Sequence, residues 1–139
     1  ELGKRGILAL LTPKNNPLFD IVAVSPDASR SVAIQVKTMS ERNTFGWKLG
    51  MDICERKNNP LLFTVLVNLT GKEIDYYIYP YDFLSERVEN AYKEYLDKPK
   101  RDGNPRKDIA FRWFDLKLFT ADDHSRKNNW DVLGFNLTV

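Results

Sequence analysis

Residues 16–38 read NPLFDIVAVSPDASRSVAIQVKT, and the architecture follows from how this stretch divides. Phe19 to Val24 is a dense apolar run interrupted only by Asp20, an acid out of character for a buried strand. Ser25-Pro26-Asp27-Ala28-Ser29 supplies turn formers, and Ser31 to Thr38 then alternates Val32, Ile34 and Val36 with Ala33, Gln35 and Lys37. The reading is a β-hairpin. Side chains alternate across a strand, so Gln35 and Lys37 share the face opposite Val32, Ile34 and Val36, about 7 Å apart.

Working outward, Glu1 to Leu11 is expected to be the tail of a helix, diluted by Gly3 and Gly6 and ended by Thr12 and Pro13, with a turn at Asn15-Asn16-Pro17. Trp47, Met51 and Cys54 recur at helical spacing and predict a short helix before Asn58-Asn59-Pro60. Leu61 to Leu69 is apolar on both faces, as a central strand covered from each side must be. Asp75 to Tyr79 reads as a strand, and Asp82 as the cap of the following helix. Leu84, Val88, Ala91, Tyr92 and Tyr95 form that helix's apolar stripe, which ends near Pro99. Lys98 to Asp108 is a basic loop, Phe114 to Leu118 alternates as a strand, Ala121 to Asn129 is turn-like, and Trp130, Val132, Leu133 and Phe135 return to the core. The whole, residues 1–139, reads as a single α/β domain with a mixed central sheet flanked by helices.

Composition sets bounds. At 139 residues with 42% hydrophobic and 29% charged side chains, the chain can bury one sizeable core, which excludes a disordered or collagen-like chain. The longest apolar run is far short of a bilayer span. The single cysteine, Cys54, excludes an intramolecular disulfide and a Cys-rich zinc site, and fits a reducing cytoplasm. The start at Glu1, with neither Met nor leader, leads us to expect further residues upstream. The net charge of +2 is too small to define a partner, so its placement matters. Between residues 98 and 107, Lys98, Lys100, Arg101, Arg106 and Lys107 stand against Asp102 alone, a local charge of +4 suited to a phosphate backbone, with Arg126 and Lys127 as a conceivable extension.

Placing Asp20, Gln35 and Lys37 on a common hairpin edge brings together a carboxylate, an amide oxygen and an ammonium. A hard cation such as Mg²⁺ takes oxygen ligands and keeps several waters, so Asp20, Gln35 and the backbone carbonyl of Val36 suffice beside a substrate phosphate. The Lys37 ammonium, a compact point charge, would act on the water or the phosphate. The same residues taken singly also suit a strand-edge acid and the polar face of an amphipathic hairpin. His124 reads as an exposed loop residue, Cys54 as a small buried apolar one, and Trp47, Trp113 and Trp130 as core anchors.

Asn16-Pro17-Leu18-Phe19-Asp20, followed after thirteen residues by Ile34-Gln35-Val36-Lys37-Thr38, resembles the PD-(D/E)xK nuclease superfamily in a Gln-x-Lys variant. The resemblance covers Glu1 to Thr38, about a quarter of the chain, and implies a restriction-endonuclease-like fold. It also implies a divalent-metal-dependent nuclease that hydrolyses DNA phosphodiester bonds with Mg²⁺ or Mn²⁺, in the cytoplasm, either alone or as a homodimer. Asp20 and Gln35 inherit metal binding, Lys37 catalysis, and Glu1 the place of the family's helical glutamate. Two departures stand out: Pro17 is separated from Asp20, and Gln35 replaces the commoner Glu. The second lowers the negative charge available to a cation and keeps open a nuclease-like DNA-binding or assembly module without turnover.

Overall fold

The computed structural model describes residues 1–13, 16, 18–39, 45–109 and 111–135; Asn15 and Pro17 of the expected turn lie outside them. The chain forms β1 (Leu8–Leu11), β2 (Ile21–Val24), β3 (Ser31–Met39), β4 (Gly46–Gly50), β5 (Leu62–Asn68), β6 (Asp75–Pro80), helix α1 (Tyr81–Asp97), β7 (Phe111–Asp115) and the short helix α2 (Ala121–Ser125). Single 3₁₀ turns occupy Gly3–Arg5, Met51–Cys54, Leu116–Leu118 and Trp130–Leu133. The expected fold class, an α/β arrangement with a mixed central sheet flanked by helices, is the one observed.

The main sheet has five strands in the order β1-β2-β3-β5-β6, and β4 pairs with β7 in a separate ribbon. β3 and β5 run parallel, whereas every other pairing is antiparallel. As its two-faced apolar run requires, β5 is buried from Leu62 to Val67. Phe63, Val65 and Val67 join Val32, Ile34, Trp130 and Leu133 on one side of the sheet. On the other, Leu62 and Leu66 pack with Trp47, Tyr79, Leu84, Val88 and Phe114, bringing α1 and the β4–β7 ribbon over that face. Burying these side chains on each face, at about 2 kcal/mol apiece, supplies the main driving force for layering. A buried network then pins α2 to the sheet. Asp123 accepts from the Tyr79 hydroxyl at 2.9 Å, from the Arg87 guanidinium at 3.2 Å and from the Thr120 amide at 2.8 Å.

Several expectations need correction. The N-terminal segment is a 3₁₀ turn followed by a strand, not a helix tail: Gly6 ends the turn at φ 76°, and Leu8–Leu11 then pairs with β2. The segment around Trp47 is a strand, since Trp47 and Leu49 both point inward at period two while Met51–Cys54 is a single 3₁₀ turn. Gly46 is needed there, because a β-carbon would collide with the Phe114 carbonyl across the ribbon. The strand expected over Phe114 to Leu118 instead begins at Phe111 and ends at Asp115, and Ala121–Ser125 gains a helical turn from a capping box between Thr120 and Asp123. Asp82 is not the cap of α1, where Pro80 stands; its carboxylate accepts from the Lys57 and Asn59 amides at 2.7 and 3.2 Å. Cys54 is only half-buried, and Trp113 is 40% exposed where a core position was expected.

The β2–β3 turn sets the hairpin register. The Asp27 carboxylate accepts from the Ser29 hydroxyl at 2.6 Å, the Ser29 amide at 3.0 Å and the Ser25 hydroxyl at 2.8 Å. These bonds, Ser29 foremost, hold its pKa at about 2 against an ordinary 3.8. Because the folded-state pKa is depressed, this stabilisation is complete above the ordinary value and disappears as pH falls through about 2. Asp27→Asn should therefore flatten the acid limb of the urea-unfolding midpoint across that window. An unchanged limb would show that Asp27 does not carry it.

Candidate metal site at the β2–β3 edge

Asp20 is exposed and lies just before β2 rather than inside a buried strand. Its backbone is held from both sides: the amide donates to the Ile34 carbonyl at 2.9 Å, and the carbonyl accepts from the Thr12 amide at 2.9 Å. Thr12 also donates its hydroxyl to the Phe19 and Asp20 carbonyls at 3.0 and 3.2 Å. The side chain is fixed by a third bond, in which the Val36 amide donates to Oδ2 at 2.7 Å. Oδ1 has no hydrogen-bond partner among the described residues.

Register places Gln35 beside it. Ile21 pairs with Ile34 at the end of the β2–β3 ladder, and the Asp20 amide also bonds the Ile34 carbonyl, so Asp20 leaves the ladder at the residue that precedes Gln35 on β3. Gln35 is 7% exposed, and its Oε1 is buried without a hydrogen-bond partner among the described residues. A buried amide carbonyl in that condition carries a desolvation penalty of about 1–3 kcal/mol unless something coordinates it. Thr64 lies opposite Gln35 on β5, and its fully buried hydroxyl is likewise without a partner. A hydroxyl inside an otherwise apolar central strand is the sequence signal that marks Thr64.

The Val36 peptide also faces this edge. Ala33 donates to the Leu61 carbonyl on the β5 side, so by strand alternation the peptide groups of Ile34 and Val36 point toward β2. The Val36 amide reaches Asp20, and its carbonyl lies on the same side, past the last paired residue of β2. Lys37 is half-buried and shares its face of β3 with Gln35.

Glu1 is placed differently. Its carboxylate is held by Arg5 at 3.2 Å and Lys4 at 3.8 Å, and it lines a shallow apolar depression with Ile34, Val36 and Trp130. It thus rests against the face of β3 opposite Gln35 and Lys37. Among the described residues no three His, Cys, Asp or Glu side chains cluster as a metal site. The donors assembled at the edge are instead one carboxylate, one orphaned amide oxygen and one backbone carbonyl. That set is all oxygen and suits a hard cation that retains waters.

The basic segment follows α1 as a loop. Lys98, Lys100, Arg101 and Lys107 are exposed, whereas Arg106 is half-buried, donates to the Lys98 carbonyl at 2.9 Å and lies over the Tyr95 ring at 4.5 Å. Arg126 and Lys127 are engaged elsewhere, with Asp122 at 3.0 Å and Asp75 at 3.4 Å.

No family model matches the chain, and no curated protein matches it. Among solved structures it is similar to that of Archaeoglobus fulgidus Hjc, a Holliday junction resolvase from an archaeal hyperthermophile. The identity is 15%, with a TM-score of 0.46, covering 85% of this chain and 84% of that one.

The unpartnered Gln35 oxygen yields a stability test. In metal-free solution Gln35→Leu removes a buried acceptor at nearly constant volume and should leave the protein as stable as before or more stable by about 1 kcal/mol, read by urea unfolding. A loss of that size would show that the amide is satisfied within the fold and is not reserved for a ligand.

Proposed function

We propose that residues 1–139 form one nuclease-like domain of the PD-(D/E)xK type that hydrolyses DNA phosphodiester bonds with Mg²⁺ or Mn²⁺. The observation that carries this reading is the buried, unpartnered Oε1 of Gln35 at the same strand edge as the Asp20 carboxylate and the Val36 peptide. Asp20, Gln35 and the Val36 carbonyl would hold the cation, which supplies Lewis-acid polarisation of the phosphate and a water of lowered pKa. The Val36 amide fixes one carboxylate oxygen of Asp20 and leaves the other free to ligate. Lys37, sharing the Gln35 face, neutralises charge developing on the phosphate or orients the attacking water. Glu1, paired with Arg5 and Lys4 against the opposite face of β3, has no part in this reading of the site. The loop cations Lys98, Lys100, Arg101, Arg106 and Lys107 bind backbone phosphates and give the affinity a steep salt dependence.

The competing reading is a nuclease-like DNA-binding or assembly module without turnover. Its support is Gln35 itself, since the edge offers one formal negative charge where a Glu would have made two.

Cleavage assays with single-stranded, duplex and branched DNA separate the two. The nuclease reading expects cleavage in Mg²⁺ or Mn²⁺ that EDTA abolishes and that falls by at least about 100-fold in both Asp20→Ala and Lys37→Ala. DNA binding and cation binding without cleavage would establish the module instead. Cation affinity gives an independent check. Mn²⁺ should raise the melting temperature of the wild type, more so that of Gln35→Glu, and not that of Asp20→Ala. Equal shifts in all three would remove the cation site from this edge.

A further inference from the structure

A second feature lies away from the strand edge, between α1 and β7. A cavity of about 420 Å³ is lined by Tyr92, Tyr95, Trp113 and Leu118, with Lys98 and Lys117 among its polar lining groups. Its aromatic walls are accessible: Tyr95 is 41% and Trp113 40% exposed, large values for rings that could have been buried. They are also braced in advance. Tyr92 stacks with Tyr95 at 5.8 Å, donates its hydroxyl to Asp108 at 2.6 Å and accepts from the Ile109 amide at 2.9 Å. Behind it the Arg112 guanidinium lies over the Tyr92 ring at 3.7 Å. Trp113 meets Phe111 edge-on at 5.9 Å.

The basic loop is attached to this cavity rather than merely near it. Lys98 belongs to both, and Arg106 covers the Tyr95 ring while bonding the Lys98 carbonyl. Two acids, Glu94 and Asp115, also line the cavity. They balance Lys98 and Lys117, so the lining offers a phosphate no net positive charge, whereas the loop carries an excess of cations. The polarity therefore suits a ligand whose flat, uncharged part enters and whose anionic part stays outside.

We infer that this cavity takes an unpaired nucleobase of single-stranded DNA, stacked on Trp113, while the flanking phosphates lie along the Lys98–Lys107 loop. The inference rests on the nucleic-acid reading above and adds a preference for unpaired strands, since a base held within a duplex stack cannot enter. Base–aromatic stacking of this kind tolerates any base, because each presents a π-face.

The test is equilibrium binding, in EDTA to prevent cleavage, of a labelled oligonucleotide as a single strand and as a duplex. Trp113→Ala should weaken single-strand binding about tenfold, leave duplex binding unchanged and be rescued by Trp113→Phe, whereas the Lys100→Ala, Arg101→Ala double variant weakens both. Trp113 is a surface residue, and matching melting temperatures confirm that the variants fold. Single-strand binding that Trp113→Ala leaves intact, or duplex binding that it weakens equally, would overturn the base pocket while leaving DNA binding in place. Failure of the wild type to bind either oligonucleotide would overturn the nucleic-acid reading itself.

Discussion

Everything at the candidate metal site depends on the register of β3. Its partner β2 is antiparallel and β5 parallel, and the two ladders must agree on which residues face which side. A slip of one residue against either neighbour would carry Val32 and Ile34 out of the core and put Gln35 and Lys37 in their place. The apolar cost of that exchange, several kcal/mol, is what fixes the polar residues without any bond of their own. Asp20 is fixed differently, by backbone bonds to Ile34 and Thr12 and a side-chain bond to the Val36 amide. An exposed acid thereby acquires a defined position from the buried strand beside it.

The parts of the fold legible in the sequence are those where one periodicity held over many residues. The two-faced apolar run of β5, the alternation in β3 and the 84-88-91 stripe of α1 each record a single burial geometry. Where a segment is short, tertiary pairing decided. Leu8–Leu11 shows no alternation, and it is a strand because β2 offers a free edge. Trp47 and Leu49 share a face at period two, but the wider Trp47-Met51-Cys54 spacing mimics a helix, and only the approach of β7 distinguishes the two. At the site, the shared face of Gln35 and Lys37 followed from strand alternation alone. The isolation of the Gln35 oxygen and the role of the Val36 amide did not, because both depend on how Asp20 leaves the ladder. The exposure of Trp113 was equally hidden: Phe114, its immediate neighbour, takes the inward position on β7, and a strand can turn only one of two successive residues inward.

The charge balance at the edge bears on what kind of ligand it can hold. One carboxylate and two neutral oxygens attract a divalent cation only weakly in water, where Mg²⁺ gives up its hydration reluctantly. A phosphate diester brings a negative oxygen of its own, so cation and substrate would each strengthen the other's binding. The buried position of Gln35 Oε1 would sharpen this coupling, since a cation bound there would relieve its unmet desolvation penalty. A Glu at the same place would bind a cation without substrate, but with no cation present it would hold a carboxylate at a position only 7% exposed, at the cost of desolvating the charge. On the proposed reading, Gln35 would trade standing affinity for a site that assembles with its substrate.

The two polar features of the molecule are built on opposite principles. The strand-edge site is rigid, held by two ladders, and its donors are few. The α1–β7 cavity is broad, aromatic and continuous with a loop whose cations are mostly unpaired by acids of its own. Such a division suits a polymer ligand, because phosphates and bases repeat along the strand while bond cleavage happens at one place. Affinity can then be gathered over the cavity and loop, with salt-dependent phosphate contacts and salt-tolerant stacking adding to one another. On the proposed reading, a weak cation site would need no binding energy of its own; it would have only to act on whichever phosphate the rest of the surface delivers.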